Sequence, residues 1–513
     1  MHTFQPTPYP YQLEGALQAA HAGHTLIADE PGLGKTLQAL AVQRITKAKR
    51  TLIICPPILT TNWEKESRRT HNNEHINGEL IKITPHNPIS GKNKTAQKKA
   101  LDQLPNAGTI IVPDSLIVAR GLDCPLAMWE PDLLILDEAH RYKTPGAKRT
   151  KAVLHISQYA KQTLCLTGTP IISTPLDLLP LLTMTGHLHH FAKTPWEYIN
   201  RYTYENHFGA RVANPKTLPE LHNILDKHVW TRRTKNQVLT ELPPKRRSVH
   251  WVTPDTDTLD NANRELNEKI DTWLDNLDTN PTNEDIASFV GDCLPFVAQL
   301  RKATGLAKVD AATDWITTRL NAEPSKPLIV WIQHRDVSEA LISQLRKESP
   351  YTSVELIDGT VTGPARDDIV ERFQNGGINV LVAQIAAAGV GLTLTRASTA
   401  LFVETDWTPA LVVQAEDRIH RISQTASVEL VTLVATGTLD ERIHDTLAKT
   451  IRVLETLTPG SDVHVATETS GAVSASTILH QLITERITER NTTNGTQQSE
   501  RESSRVTVRA RSR

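Results

Sequence analysis

The fold is decided by residues 29–36, which read Asp29-Glu30-Pro31-Gly32-Leu33-Gly34-Lys35-Thr36 and follow the apolar run Thr25-Leu26-Ile27-Ala28. A strand, a glycine-bearing turn and a helix that begins near Lys35 form a phosphate cradle, because backbone N–H groups of the turn and of the helix N-terminus point at anionic oxygens. In such a loop Lys35 reaches the outer phosphates and Thr36 can ligate Mg²⁺. The stretch therefore predicts a P-loop.

The loop departs from the strict P-loop pattern at Asp29, where glycine or alanine is usual. Taken alone, the same residues also fit a glycine-rich turn that closes a purely structural strand and helix. Evidence from the rest of the chain is needed to choose between the two interpretations.

Further apolar runs occupy residues 51–55, 109–112, 132–137 and 163–166, and turn residues bound each of them. Apolar runs that alternate with helical segments are typical of a parallel sheet covered on both faces. The first half of the chain is therefore predicted to be an α/β lobe.

An acidic pair, Asp137 and Glu138, ends the third of these runs. A carboxylate at the C-terminal end of a strand can hold Mg²⁺, and its neighbour can orient or deprotonate an attacking water. An isolated acidic pair is usually only a polar strand exit, but a P-loop in the same sheet favours the catalytic interpretation. The next strand ends in Thr167, Gly168 and Thr169, which could sense a γ-phosphate or form a plain turn.

Residues 9–20 read as an amphipathic helix whose apolar face carries Leu13 and Leu17. Gln12 lies on this helix, a short distance before the P-loop. Its amide could pair with an adenine edge through one donor and one acceptor, although a solvated glutamine on a helix surface has the same sequence signature.

A second series of apolar runs, at residues 327–332, 354–357, 378–382, 399–403 and 430–434, predicts a second α/β lobe without a P-loop. Residues 414–424 read as a helix that places Gln414, Arg418 and Arg421 on one face. Such arginines form either a solvated stripe or arginine fingers that reach phosphates bound by the other lobe, and their scarce acidic neighbours favour fingers.

The composition limits the class of protein. The 56 basic and 57 acidic residues balance to a formal charge of −1, so any nucleic-acid surface must be local. Four separated cysteines suggest neither a disulfide framework nor a zinc cluster, and His187, His189 and His190 lack partners at metal-ligand spacing. Without a secretory leader or a membrane-length apolar run, we expect a cytoplasmic protein, in a prokaryotic cell or a cell that hosts a virus.

These motifs together resemble, in order and spacing from residue 9 to about 450, the Swi/Snf-type ATPases of helicase superfamily two. The family's loop carries aspartate where Asp29 stands. Other matching stretches are Cys55-Pro-Pro-Ile-Leu-Thr-Thr-Asn-Trp63-Glu-Lys-Glu66, Asp137 to His140, Leu166 to Pro170, Arg232-Arg-Thr-Lys235, Leu242-Pro-Pro-Lys245 and Gln414 to Gln424. Within the family, the stretch Ala387-Ala-Gly-Val-Gly-Leu-Thr393 and the compact connection between the lobes are most similar to the HARP-type annealing-helicase branch.

The resemblance implies two RecA-like lobes with parallel sheets, an ATP cleft between them and short helical insertions. It implies that ATP and Mg²⁺ are the cofactors and that Lys35, Asp137, Glu138, Arg418 and Arg421 are catalytic. It further implies that Gln12 contacts adenine. The other implied contacts to nucleotide are made by Asp29, Gly32, Leu33, Gly34, Thr36, Gly391 and Gln414. Thr36 and Asp137 are the implied Mg²⁺ ligands.

Four segments are predicted along the chain. Residues 1–240 form the ATP-binding lobe, 241–320 a helical linker or insertion, 321–458 the second lobe, and 459–513 a largely disordered tail. Within the tail, a short amphipathic helix is predicted around Ile478, Leu479, Leu482 and Ile483.

The predicted function is ATP-dependent translocation on double-stranded DNA that remodels DNA junctions or protein–DNA complexes. Two alternatives remain open: a strand-separating helicase or RNA-directed motor, and a non-catalytic nucleotide-gated DNA-binding scaffold. Partners are expected to be double-stranded or forked DNA and, as candidates, single-strand-binding or replication proteins; we expect a monomer and no membrane association.

Two basic stretches are candidate contacts for DNA phosphates, which would be bound without sequence preference and with a strong salt dependence. Ordinary solvated surface explains the same residues equally well. The stretches comprise Arg141, Lys143, Lys148, Arg149 and Lys151, and Lys92, Lys94, Lys98 and Lys99.

Overall fold

A computed structural model gives the fold. It describes residues 6–70, 79–86, 89–170, 174–205, 211–239, 241–254, 257–277, 281–361, 363–388, 392–456, 475–476, 478–488 and 490. Gly391 and most of the predicted tail lie outside the described residues.

The first lobe contains a seven-stranded parallel sheet whose strand order is β3-β4-β2-β5-β6-β1-β9. Alternate residues of its strands enter two different cores: Leu52 and Ile54 pack on one face, and Ile53 and Cys55 on the other. Burial of both faces explains why these strands read as continuous apolar runs. The strands of the lobe, including the antiparallel hairpin β7-β8, are β1 Thr25–Ile27, β2 Arg50–Cys55, β3 Glu79–Lys82, β4 Gly108–Pro113, β5 Leu133–Asp137, β6 Gln162–Leu166, β7 Thr203–Glu205, β8 Arg211–Ala213 and β9 Trp230–Thr231.

The second lobe contains a six-stranded parallel sheet of order β10-β15-β14-β11-β13-β12. Its strands are β10 Lys245–Val252, β11 Leu328–Ile332, β12 Val354–Ile357, β13 Val380–Gln384, β14 Thr399–Phe402 and β15 Val428–Ala435. Strand β10 comes from the segment 241–320, which the sequence assigned to a helical linker. It begins with three consecutive charged residues, Lys245, Arg246 and Arg247, and most of its residues are exposed, so no continuous apolar run marked it as a strand.

Helices cover both sheets. In the first lobe they are α1 Pro10–Ala22, α2 Lys35–Thr46, α3 Thr60–Thr70, α4 Lys94–Asp102, α5 Asp114–Arg120, α6 Asp123–Met128, α7 Lys148–Ser157, α8 Leu179–Met184, α9 Pro195–Tyr202, α10 Leu218–His228 and α11 Lys235–Val238. The later helices are α12 Asp257–Asp275, α13 Asn283–Ala307, α14 Val309–Ala322, α15 Arg335–Glu348, α16 Gly363–Asn375, α17 Ile385–Ala388, α18 Pro409–Glu416 and α19 Leu439–Thr456. None of the described helices combines the length and the apolar character that a bilayer crossing requires.

Helix α1 forms where the sequence predicts it, but its predicted apolar face was wrong. Leu13 and Leu17 are exposed, and the face that packs on α2 is built from Gly15, Ala16 and Ala19. A Cβ at Gly15 would collide with the side chain of Gln38. Small residues are therefore needed where these helices approach closely, and the larger leucines face outward.

Helices α12 and α13 pack against α19 and a C-terminal helical segment at residues 478–488 in a core separate from the two sheets. Ile478, Leu479 and Ile483 are buried in this core, as the amphipathic pattern predicts for a helix in this part of the tail. Trp273 of α12 stacks on Phe289 of α13 with ring centroids 4.2 Å apart.

Replacing Leu479 with alanine should lower the free energy of unfolding, because the Leu479 side chain is fully buried in the helical core. The expected loss is about 2–5 kcal/mol, measured by urea denaturation followed by circular dichroism. Tyr351→Ala, at a residue that is 99% exposed, is the control and should leave the transition unchanged. An unchanged transition in Leu479→Ala would contradict the packing of this segment.

Candidate active site

The P-loop has the strand–turn–helix geometry that the sequence predicts. Strand β1 leads into a turn in which Gly32 has φ 90° and Gly34 has φ 78°, and α2 begins at Lys35 with Thr36 as its second residue. Positive φ favours glycine, since a Cβ would clash with the backbone. At Gly34 a Cβ would also collide with Nε2 of Gln12, so both glycines are required by the shape of the loop.

Lys35 lies inside the cradle. Its Nζ donates to the backbone oxygen of Asp29 at 2.7 Å and to that of Glu30 at 3.3 Å. Burial lowers the pKa of Lys35, while the carboxylates of Glu138, Asp29 and Asp137 oppose this shift. The ammonium is thus near the acidic pair, and its hydrogen bonds to described residues are to backbone carbonyls, which phosphate oxygens could replace.

Asp137 and Glu138 stand at the C-terminal end of β5, as predicted. Asp137 Oδ1 accepts the backbone N–H of Glu138 at 2.9 Å, and Oδ2 accepts the indole N–H of Trp63 at 2.7 Å. Burial and the neighbouring Glu138 carboxylate raise the pKa of Asp137 to about 7. A divalent cation at this carboxylate would offset both effects.

Glu138 adopts a left-handed conformation, with φ 48°, which is unusual for a residue other than glycine. Its Oε2 lies 3.3 Å from Nδ1 of His140, and the same Nδ1 lies 3.0 Å from Oγ1 of Thr167. The hydroxyl of Thr167 also accepts the backbone N–H of Thr169 at 3.1 Å. The acidic pair is thereby connected to the residues that follow β6.

Gln12 is buried beside the P-loop, and both ends of its amide bind protein. Its Oε1 accepts the backbone N–H of Tyr9 at 2.9 Å, and its Nε2 donates to the backbone oxygen of Leu33 at 3.0 Å. This residue supports the loop in the structure, and its contact with adenine stays a prediction.

Asp29 is fully buried and faces away from the cradle. Its Oδ2 accepts from Gln38 at 2.8 Å and lies 3.5 Å from a guanidinium nitrogen of Arg233. Asp29 therefore fixes the P-loop to the segment that leaves β9, a structural role that its position in the motif did not indicate.

Arg421 of the second lobe lies beside the P-loop of the first. A Cβ at Gly32 would lie 3.2 Å from Cγ of Arg421. The guanidinium donates to Oγ1 of Thr393 at 3.0 Å and to the backbone oxygen of Asp417 at 3.1 Å. Burial and the nearby Arg418 lower the pKa of Arg421 to about 9. The predicted finger therefore stands beside the phosphate cradle.

The helical face predicted for residues 414–424 was wrong. Helix α18 ends at Glu416, and Arg418 and Arg421 follow it in consecutive turns. The guanidinium of Arg418 donates to the backbone oxygen of Gln414 at 2.9 Å, and Glu416 is held by Lys245 and Arg247 of β10. These contacts hold the chain at the end of α18, and Arg421 still lies beside Gly32 of the first lobe.

A buried ion pair joins the lobes next to this site. Lys235, at the start of α11, pairs through Nζ with Asp417 and donates to the backbone oxygen of His420 at 2.8 Å. Its backbone N–H donates to the Glu30 carboxylate of the P-loop at 2.7 Å. Sequence reasoning named Lys235 only within a matching motif, without a role, because its partner lies 182 residues away along the chain.

The site fits a nucleotide triphosphate with Mg²⁺. Among the described residues, the buried guanidinium of Arg418 has no carboxylate within ion-pair distance, and the buried Oε1 of Gln414 has no hydrogen-bond partner. An uncompensated buried cation is unfavourable unless an anion joins it. Phosphate oxygens near Lys35, Arg418 and Arg421 would supply that anion, and Asp137 and Thr36 would be the protein ligands of the metal.

Comparison with protein-family models assigns the chain. The model of the SNF2-related domain matches residues 15–303, and that of the helicase conserved C-terminal domain matches residues 307–423. The chain belongs to the SNF2-related family. This confirms the predicted Swi/Snf-type ATPase of helicase superfamily two, and the enzyme class that it indicates is a DNA-dependent ATPase.

Curated relatives agree with this assignment. The chain is 31% identical over 444 residues to the mouse DNA annealing helicase and endonuclease ZRANB3, an alignment that covers 84% of this chain and 39% of that protein. It is 29% identical over 472 residues to the Caenorhabditis elegans homologue of SWI/SNF-related matrix-associated actin-dependent regulator of chromatin subfamily A-like protein 1, covering 88% and 62% respectively. The chain thus spans about two-fifths of the length of ZRANB3. Both relatives support the predicted HARP-type branch.

One solved structure supports the fold, and a second aligns less well. The Pyrococcus furiosus Hef helicase domain aligns with a TM-score of 0.50 at 16% identity, covering 87% of this chain and 99% of that one. The Sulfolobus solfataricus SWI2/SNF2 ATPase core in complex with dsDNA aligns with a TM-score of 0.41 at 22% identity, covering 91% and 96%.

Replacing Arg421 with alanine should reduce kcat for ATP hydrolysis by about 10³-fold or more, the range typical of arginine fingers. Nucleotide should still bind through the P-loop. Steady-state ATPase rates and binding of a fluorescent ATP analogue measure the two effects. The matched control is Arg372→Ala, because Arg372 lies on the exposed surface of α16 and pairs with Glu355 and Asp368. An unchanged rate in Arg421→Ala would exclude the finger.

Proposed function

We propose that this chain is an ATP-driven motor that translocates on double-stranded DNA and remodels DNA junctions or protein–DNA complexes. The observation that carries the proposal is the close approach of Arg421 of the second lobe to Gly32 of the P-loop, where an added Cβ would lie 3.2 Å from Cγ of Arg421. A nucleotide held by residues of both lobes couples its own hydrolysis to their relative movement. In the cycle, Lys35 and Thr36 would hold the phosphates and Mg²⁺, and Glu138 would orient the attacking water.

Similarity to proteins named for DNA annealing supports DNA as the polymer. We propose duplex or forked DNA as the substrate. Single-strand-binding or replication proteins are proposed as partners, on the basis of resemblance alone.

The two predicted basic stretches differ as candidate DNA surfaces. Arg141 and Arg149 both pair with the buried Asp114, at 2.9 and 3.3 Å, so they brace the lobe, whereas Lys148 and Lys151 of the same stretch are exposed. Lys92, Lys94, Lys98 and Lys99 are all exposed on or just before α4. The exposed lysines of both stretches are therefore candidates for phosphate contacts, and the four on or just before α4 form the larger set.

The function is tested by steady-state ATPase rates without polymer and with duplex DNA, forked DNA, single-stranded DNA or RNA at one low salt concentration. We expect stimulation by duplex or forked DNA, and its loss in Lys35→Ala and Glu138→Gln. Stimulation only by single strands or RNA would replace the proposal with a helicase or RNA-directed motor. If ATP is not hydrolysed under any of these conditions, the chain would instead be a non-catalytic scaffold.

Substituting Lys94 and Lys98 together by alanine should weaken duplex binding, because two exposed cations four residues apart on α4 are lost. If each contacts one phosphate, the slope of log K against log salt should fall by about 0.9 per lysine. Fluorescence anisotropy across a salt series measures the slope. A double variant at Lys227 and Lys347, which are also exposed, is the control; equal slopes in both variants would remove α4 from the DNA surface.

A further inference from the structure

Trp63 places a hydrogen-bond donor against the proposed metal ligand. The residue lies on α3 and is fully buried. Its indole packs among the apolar side chains of the first sheet, and its Nε1 donates to Oδ2 of Asp137 at 2.7 Å. A buried indole N–H usually has a hydrogen-bond partner. A backbone carbonyl oxygen would satisfy this donor equally well, but the partner of Trp63 is the carboxylate that ends β5.

The carboxylate of Asp137 is held at both oxygens. Oδ1 accepts the backbone N–H of Glu138, and Oδ2 accepts the indole N–H. Two donors in fixed directions prevent rotation of the carboxylate, and each oxygen keeps a further lone pair. The carboxylate is therefore oriented before any cation arrives.

Helix α3 is itself fixed in position. Glu64, next to Trp63, pairs with Arg68 of the same helix and with Lys82 of β3. On the exposed side, Nζ of Lys65 lies 2.7 Å from Oδ2 of Asp367, a residue of α16 in the second lobe. The donor is thus mounted on a helix that ion pairs connect to β3 and to α16.

We propose that Trp63 is a positioning residue whose indole N–H holds the Asp137 carboxylate in the orientation that ligates the Mg²⁺ of bound nucleotide. The proposal rests on the nucleotide site of the proposed function. Groups that orient a metal ligand typically contribute 10- to 100-fold to metal affinity. Loss of the N–H alone should therefore weaken the Mg²⁺-dependent part of nucleotide binding.

Trp63→Phe removes the donor and keeps an aromatic ring in the core. Trp129→Phe is the matched control, because Trp129 is also buried and donates its indole N–H to the backbone oxygen of Pro105 at 2.7 Å, away from the P-loop. If the smaller phenylalanine ring only loosens the packing of the core, the two variants should lose stability to a similar extent. An effect of the Asp137 contact should appear only at residue 63.

The experiment measures the affinity of a fluorescent ADP analogue for the whole chain in Mg²⁺ and in EDTA, and the Mg²⁺ concentration that gives half-maximal binding. For Trp63→Phe we expect that concentration to rise about tenfold or more, while the affinity in EDTA stays at the wild-type value. Trp129→Phe should match the wild type in both.

Wild-type Mg²⁺ dependence in Trp63→Phe would overturn the proposal, and so would an equal loss of affinity in Mg²⁺ and EDTA, which indicates a distorted fold. If Trp63→Phe does not fold, benzothienylalanine at position 63 replaces the N–H by sulfur with little change in shape, and the same shift is expected. Failure of the wild type to bind nucleotide would instead refute the proposed function.

Discussion

The arrangement of the site depends on one buried ion pair, between Lys235 and Asp417. Removing either partner would leave a buried charge without compensation, which typically costs about 3–5 kcal/mol. Because the backbone of Lys235 also holds Glu30 of the P-loop, the pair sets the position of the turn that carries Arg421 relative to the cradle. The lobes therefore meet at the nucleotide site through side chains that are fixed before ligand binds.

The parts of this structure that the sequence predicts are those determined by local pattern. Residues 51–55 read as a strand because both faces of β2 are buried. The P-loop is recognisable because positive φ at Gly32 and Gly34 restricts the residue type. Similarly, Asp137 and Glu138 follow an apolar run because the C-terminal edge of a parallel sheet is where ligands bind.

The parts that the sequence did not predict depend on contacts between distant segments. The end of α18 at Glu416 follows from Lys245 and Arg247, which come from the neighbouring strand β10. The outward orientation of Leu13 follows from the close approach of α1 to α2. The contact between Trp63 and Asp137 joins residues 74 positions apart, and nothing in either local pattern indicates it.

The central claim is that nucleotide bound by residues of both lobes changes the position of one lobe relative to the other. The distance between a residue of each lobe measures this change most directly. Spin labels at the exposed residues Met128 and Tyr351, in a chain with Cys124 replaced by serine, give the distance distribution by pulsed electron paramagnetic resonance. A non-hydrolysable ATP analogue with Mg²⁺ and duplex DNA should shift the distribution in the wild type but not in Lys35→Ala. The same distribution in every state of the wild type would contradict the account.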